Sequence, residues 1–216
     1  MKTRMIPTLA FFLLCTTFAT AGTVYENGSV SGDYASWRFD HQGWVSDTFT
    51  VSGGNSTIDG LSIWVLIFMT DHNPGAEVVI SSQVNGGGNV YFDRQVQFST
   101  ESNCYANYWG YNECQETANW TNGPTLPDGT YWITLKNGTI PSGADFGWDQ
   151  NSGFGCQSAG CPSQAQIDQL GTIPSEAFTI LGNPGGTNEG SPKTTGLLTF
   201  GAGFLGLVTI IRRKMV

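Results

Sequence analysis

Ile58-Asp59-Gly60-Leu61-Ser62-Ile63-Trp64-Val65-Leu66-Ile67-Phe68 is the stretch that decides the fold. After Gly60 it turns almost continuously apolar, which reads as a central strand buried on both faces or nearly so. Trp64 is therefore expected in the core, and so is Trp132 in the half-buried strand TYWITL, Thr130 to Leu135. Upstream, VSDTFTV (Val45 to Val51) alternates apolar and polar residues as a one-sided strand does. Downstream, Glu77 to Val84 and Val90 to Phe98 form a hairpin. Its connection, Asn85-Gly86-Gly87-Gly88-Asn89, is made of residues that accept positive φ cheaply. Asp128-Gly129 and Asn137-Gly138 bracket the Thr130 strand, and AFTIL (Ala177 to Leu181) is a last strand that pairs with an early one. No long segment carries a helical period. Ser163 to Leu170, SQAQIDQL, is read as a single turn or short helix. About eight short strands separated by turn signals predict an all-β domain over residues 22–182, an antiparallel β-sandwich of jelly-roll-like type.

Composition narrows the alternatives. The 216 residues suffice for one ordinary domain with short appendages. Only 12% are charged, while 29 are glycine and 7 each are tryptophan and tyrosine. A coiled coil, a long helical bundle and a charge-rich disordered tail are excluded on that ground. The formal net charge of −8 argues against a nucleic-acid partner, since phosphate neutralisation needs clustered Lys and Arg.

The two ends read as addresses. Lys2 and Arg4 precede the apolar run LAFFLLCTTF (Leu9 to Phe18), and Ala19-Thr20-Ala21 is a small-x-small site, so residues 1–21 are expected to be a signal peptide cleaved between Ala21 and Gly22. Residues 183–194 are rich in Gly, Pro, Asn and Thr and read as a flexible linker. Within residues 195–216, TGLLTFGAGFLGLVTII carries no charge and is followed by Arg212, Arg213 and Lys214. As a helix that run is roughly 25 Å long, enough to span a bilayer with snorkelling flanks, and the cations keep the end cytoplasmic and the domain outside. Between the two ends four basic residues face all 17 acids, a net charge of −13.

This plan resembles the PEP-CTERM proteins of Gram-negative bacteria. The tail GLLTFGAGFLGLVTIIRRK is similar to their Gly/Leu-rich helix and basic end, and VSDTFTVSG, IDGLSIWVLI, DGTYWITLKNG, FGWDQNSGFG and GTIPSEAFTILG resemble recurrent phrases of their ectodomains. Where the family has Pro-Glu-Pro, this chain has Gly190-Ser191-Pro192-Lys193. The resemblance implies sorting by an exosortase, a membrane protease-transpeptidase, with Pro192 near the processing point, in bacteria that make exopolysaccharide. It implies a protein held first at the inner membrane by the C-terminal helix and then placed at the cell surface or in the extracellular matrix.

Of five cysteines, Cys15 leaves with the signal peptide. Four in an exported chain read as disulfides, with three pairings open. The most local, Cys104 with Cys114 and Cys156 with Cys161, is expected. His41 and His72 each follow an Asp beside turn residues and read as surface-loop histidines; no G-x-S-x-G elbow accompanies them. Catalysis is not expected, the rival being a secreted glycan hydrolase or lyase of sandwich fold, and a second rival a structural matrix protein without ligand.

Carbohydrate sites pair an aromatic platform with amide and carboxylate acceptors. Two loops have that mixture. One is YANYWGYNECQETANW (Tyr105 to Trp120), with Tyr108, Trp109 and Tyr111 as candidates; the other is GWDQNSGF (Gly147 to Phe154), with Trp148, Asp149 and Asn151. Asp145, Asp149 and Asn151 also offer oxygen ligands for a structural Ca²⁺, though not at EF-hand spacing. No cofactor is expected beyond it.

Overall fold

The computed structural model describes residues 21–30, 32, 36–40, 43–68, 72–106, 111–151, 165–167 and 171–186. The signal-peptide, linker-end and tail readings, Cys156, Cys161, Tyr108, Trp109, Pro192, Arg212, Arg213 and Lys214 lie outside the described residues. The first half of the chain forms β1 (Gly22–Glu26), β2 (Ser36–Arg38), β3 (Trp44–Val51), β4 (Ser56–Phe68), β5 (Gly75–Gln83) and β6 (Gly87–Gln97). The second forms β7 (Thr100–Ala106), β8 (Tyr111–Asn119), β9 (Thr125–Leu126), β10 (Gly129–Thr139), β11 (Gly147–Asp149), β12 (Ala165–Ile167), β13 (Gly171–Ile173) and β14 (Phe178–Asn183).

β4 is the axis of the larger sheet. One flank pairs with β14 and β11, which continue to β1 and β2; the other pairs with β8 and β9, and β8 continues to the edge strand β7. The smaller sheet runs β13-β12-β3-β10-β5-β6. Every pairing between these strands is antiparallel. The sheets face each other across one core, a sandwich-like arrangement. Rings cross that core in series: Tyr25 of β1 lies 6.3 Å from Phe49 of β3 and 5.8 Å from Phe178 of β14, and Trp148 of β11 meets Phe178 edge-on at 5.4 Å.

The apolar run of β4 reads out as expected on one side only. Ile58, Leu61, Ile63, Val65 and Ile67 are fully buried. The inward set passes from even to odd numbers because β4 and β14 slip register where Gly182 pairs with Ile58 and Leu181 with Gly60. Gly182 is required at that slip, since a Cβ there would stand 1.9 Å from the Thr57 carbonyl oxygen. Trp64 is not in the core. It sits on the outer face of the sheet, half-buried, and Trp132 is half-buried opposite the inward residues Ile133 and Leu135. A sheet covered on one side leaves alternate residues of even its central strand near solvent.

The β5–β6 hairpin forms as read, with a short 3₁₀ turn at Val84–Gly86 and Asn85 at φ 53°. Three other expectations change. Tyr105 to Trp120 is no loop: most of it is the β7–β8 hairpin, clamped by the Cys104–Cys114 disulfide. Gly147 opens a buried strand, with Gly147, Trp148 and Asp149 all inward or covered. Within Ser163 to Leu170, Ala165–Ile167 is a strand between β3 and β13. Backbone pairing to two neighbours outweighs the weak helical preference of three residues.

Candidate functional site: the outer face of the larger sheet

Cross-strand register fixes which residues share the outer face. Ser62, Trp64 and Leu66 of β4 stand opposite Thr117, Gln115 and Glu113 of β8. Those in turn oppose Thr100, Ser102 and Tyr105 of β7. Thr179 and Leu181 of β14 lie on the other side of β4, opposite Glu26 and Thr23 of β1. The alternation that buries Ile63, Val65 and Ile67 therefore presents a broad polar and aromatic surface outward.

Two features give this surface shape. An open groove of about 310 Å³ is lined by Thr23, Glu26, Ser62, Gln115, Thr117, Thr179 and Leu181. Beside it the Trp64 and Tyr105 rings stack, centroids 6.0 Å apart and planes 12° from parallel, with Tyr105 56% exposed. The Gln115 amide is oriented: its Oε1 accepts from Asn103 Nδ2 at 2.8 Å and Ser102 Oγ at 3.4 Å. Thr117 Oγ1 donates to Ser62 Oγ at 3.0 Å. The side chains bordering the groove are thus held before any ligand arrives. Glu113, opposite Tyr105, is almost fully buried, and that burial raises its carboxyl above the ordinary range.

Charge on this face is of one sign. The basic residues among those described are Arg38, Arg94 and Lys136, and none lines the groove. Arg38 pairs with Asp40 and Asp145, Lys136 with Glu77, and Arg94 donates to the Thr121 and Asn122 carbonyls. Glu26 is the charged group in the groove lining.

The residues singled out from sequence divide sharply. Tyr111 begins β8 on this outer face, opposite Phe68 and half-buried. Trp148, Asp149 and Asn151 are not on it. Trp148 is fully buried and its indole N–H donates to the Ala177 carbonyl at 3.0 Å, so it offers no platform. The proposed Ca²⁺ set does not assemble either. Asp145 is 60% exposed and takes two bonds from Arg38, whereas Asp149 is fully buried and Asn151 Nδ2 donates to the Asn27 carbonyl. Asp145 precedes β11 at the surface beside Arg38, whereas Asp149 ends that strand under cover, so the two carboxylates are held apart in different environments. Among the described residues one grouping meets metal-ligand spacing, Glu101 with Cys104 and Cys114, and its two sulfurs are bonded to each other.

Sequence reasoning missed Trp64, Ser62, Gln115 and Thr117. The signal was present: in ECQETA the polar residues Glu113, Gln115 and Thr117 alternate with Cys114, Glu116 and Ala118. It was hidden by reading that segment as a loop.

Two acidic clusters lie behind this face. Glu116 of β8 turns inward opposite Glu101, whose Oε2 lies 2.6 Å from His72 Nδ1. At the other end Asp47, Asp149 and Glu176 are all fully buried. No protein-family model matches the chain, and no curated protein and no solved structure matches it either.

Proposed function

We propose that the protein is an exported, non-catalytic component of the cell surface or extracellular matrix that holds an uncharged polysaccharide on the outer face of its larger sheet. The observation that carries this reading is the stacked Trp64–Tyr105 pair beside an open groove edged by fixed hydroxyl and amide groups. Sugar rings present apolar CH faces and many hydroxyls, and this combination complements both. The absence of a basic residue from the groove lining, with Glu26 in it, favours a neutral polymer over a uronate or phosphate polymer. Delivery would follow from the signal peptide at 1–21 and the PEP-CTERM-like tail at 195–216, with an exosortase-like protease as partner and the domain completing a jelly-roll-like sandwich outside the cell.

Affinity electrophoresis of the protein against soluble neutral glucans, xylans and mannans, with alginate as the anionic control, tests the ligand. Retention by a neutral polymer, reduced about tenfold by Trp64→Ala or Tyr105→Ala with folding intact, is expected for loss of one aromatic anchor. Retention that both variants leave unchanged would remove the face from the reading. Mass spectrometry of the protein from its native host tests the sorting: a C-terminus near Pro192 supports processing, and one at Val216 contradicts it.

A further inference from the structure

The edge strand that carries Tyr105 is held by a chain of three titratable groups drawn from three segments. Glu101 on β7 stands directly opposite Glu116 on β8, both on the inward side of the sheet. His72, in the segment leading into β5, places Nδ1 2.6 Å from Glu101 Oε2. Exposure falls along the chain, from 53% for the His72 side chain through 27% for Glu101 to full burial at Glu116. On β4 the residue opposite Glu116 is Ile63, which brings no charge. Glu101 and His72 are the charged groups that act on it.

Like charges directly opposite one another destabilise a strand pair. Glu116 receives no N–H or hydroxyl donor among the described residues. Across the strand pair it faces Glu101, and two carboxyls can hydrogen-bond each other only through a proton. β7 has β8 as its sole strand partner among the described residues, and its pairing is already broken by a register slip between Ser102 and Tyr105. The strand is therefore sensitive to whether this one proton is present.

We propose that the His72–Glu101–Glu116 chain is a proton-gated clamp: with a proton held between the two carboxyls, β7 stays seated against β8 and Tyr105 against Trp64, and loss of that proton loosens the strand and its platform. As regulation of the polysaccharide face, this rests on the reading above, but the clamp itself does not require a ligand. The direction is set by Glu116. Its carboxyl is pushed up to about 7, first by burial and then by Glu101, with His72 pulling the other way. The folded strand therefore keeps its proton below neutrality, where the unfolded chain has already lost it, and gives it up as pH rises through about 7. The Cys104–Cys114 bridge ties the tip of the hairpin whatever the protonation state, so the response is local loosening and not loss of the strand.

The experiment is hydrogen exchange of the β7 peptide, corrected for intrinsic rates, between about pH 6 and pH 8, alongside polysaccharide retention over the same range. Protection of residues 100–106 is expected to fall about tenfold, with retention falling in parallel. Glu116→Gln, a neutral near-isostere, should flatten both profiles, and His72→Gln should move the midpoint upward, because His72 pulls the Glu116 carboxyl down. A pH-independent β7 in the wild type, or a Glu116→Gln variant that keeps the wild-type response, would overturn the clamp. Where no polysaccharide is retained at any pH, the ligand reading fails while the exchange profile still decides the clamp.

Discussion

Glu176→Gln should make the protein more resistant to alkaline conditions, and the size of the effect follows from proton linkage. Glu176 is fully buried and neither carboxyl oxygen meets a donor among the described residues. Its backbone N–H instead joins Ser175 Oγ and Asn27 Nδ2 on Asp47 Oδ2, at 2.7, 2.7 and 3.3 Å, while Thr48 N–H serves Asp47 Oδ1. Burial, and then the charges of Asp47 and Asp149, hold the Glu176 carboxyl well above its ordinary range. Folding therefore takes up one proton throughout the interval in which the unfolded chain is ionised and the folded one is not. One proton is worth a tenfold change in the folding constant, about 1.4 kcal/mol, for each pH unit of that interval. Stability from this group is complete below the unfolded value and drains away as pH rises. The amide that the substitution introduces needs no proton and brings two donors toward the acidic neighbours. Guanidinium unfolding at several pH values should show the variant's stability falling less steeply, by about one decade in the constant per unit. Glu116 adds a parallel slope up to about pH 7, so wild type must be compared with the variant at each pH. Parallel curves for the two proteins would refute the argument, because they would mean that Glu176 binds no more protons folded than unfolded.

Replacing both Cys104 and Cys114 by serine should lower unfolding free energy by about 2–3 kcal/mol, the chain-entropy value for the sequence separation of 10 that the bridge closes; an unchanged urea midpoint would mean that the edge hairpin contributes nothing to global stability. Gly182→Ala would drive a methyl to 1.9 Å from the Thr57 carbonyl oxygen, a backbone atom that cannot swing aside. The expected loss is about 3 kcal/mol or more in urea unfolding, and wild-type stability would show that the β4–β14 register is not held as described.

What the sequence discloses, and what it conceals, follows from the number of faces a strand has. The β4 run and the last strand Phe178–Asn183 are legible because an apolar run with turn signals around it has few other readings. Trp64 is misplaced by the same logic, since nothing in an apolar run says which of its residues looks outward; the register against β8 and β14 decides that, and register is a property of two strands. Tyr105 to Trp120 is misread because its aromatic and amide content is that of a binding loop, whereas the hairpin turns Tyr105, Tyr111 and Gln115 to the outer face and Cys114, Glu116 and Ala118 inward. Trp148 carries the converse lesson. Its neighbours Asp149, Gln150 and Asn151 look like a polar loop, yet Asp149 and Asn151 are buried because the chain there passes beneath Asn27 and Ser175, residues distant in sequence that bring their own hydrogen-bonding groups. The acids the sequence offers as surface ligands are thus partly internal, and the proton dependence of Glu116 and Glu176 follows from that placement. A chain so poor in lysine and arginine has few cations to neutralise its inward carboxyls, and where none is at hand a proton is the counter-ion that remains.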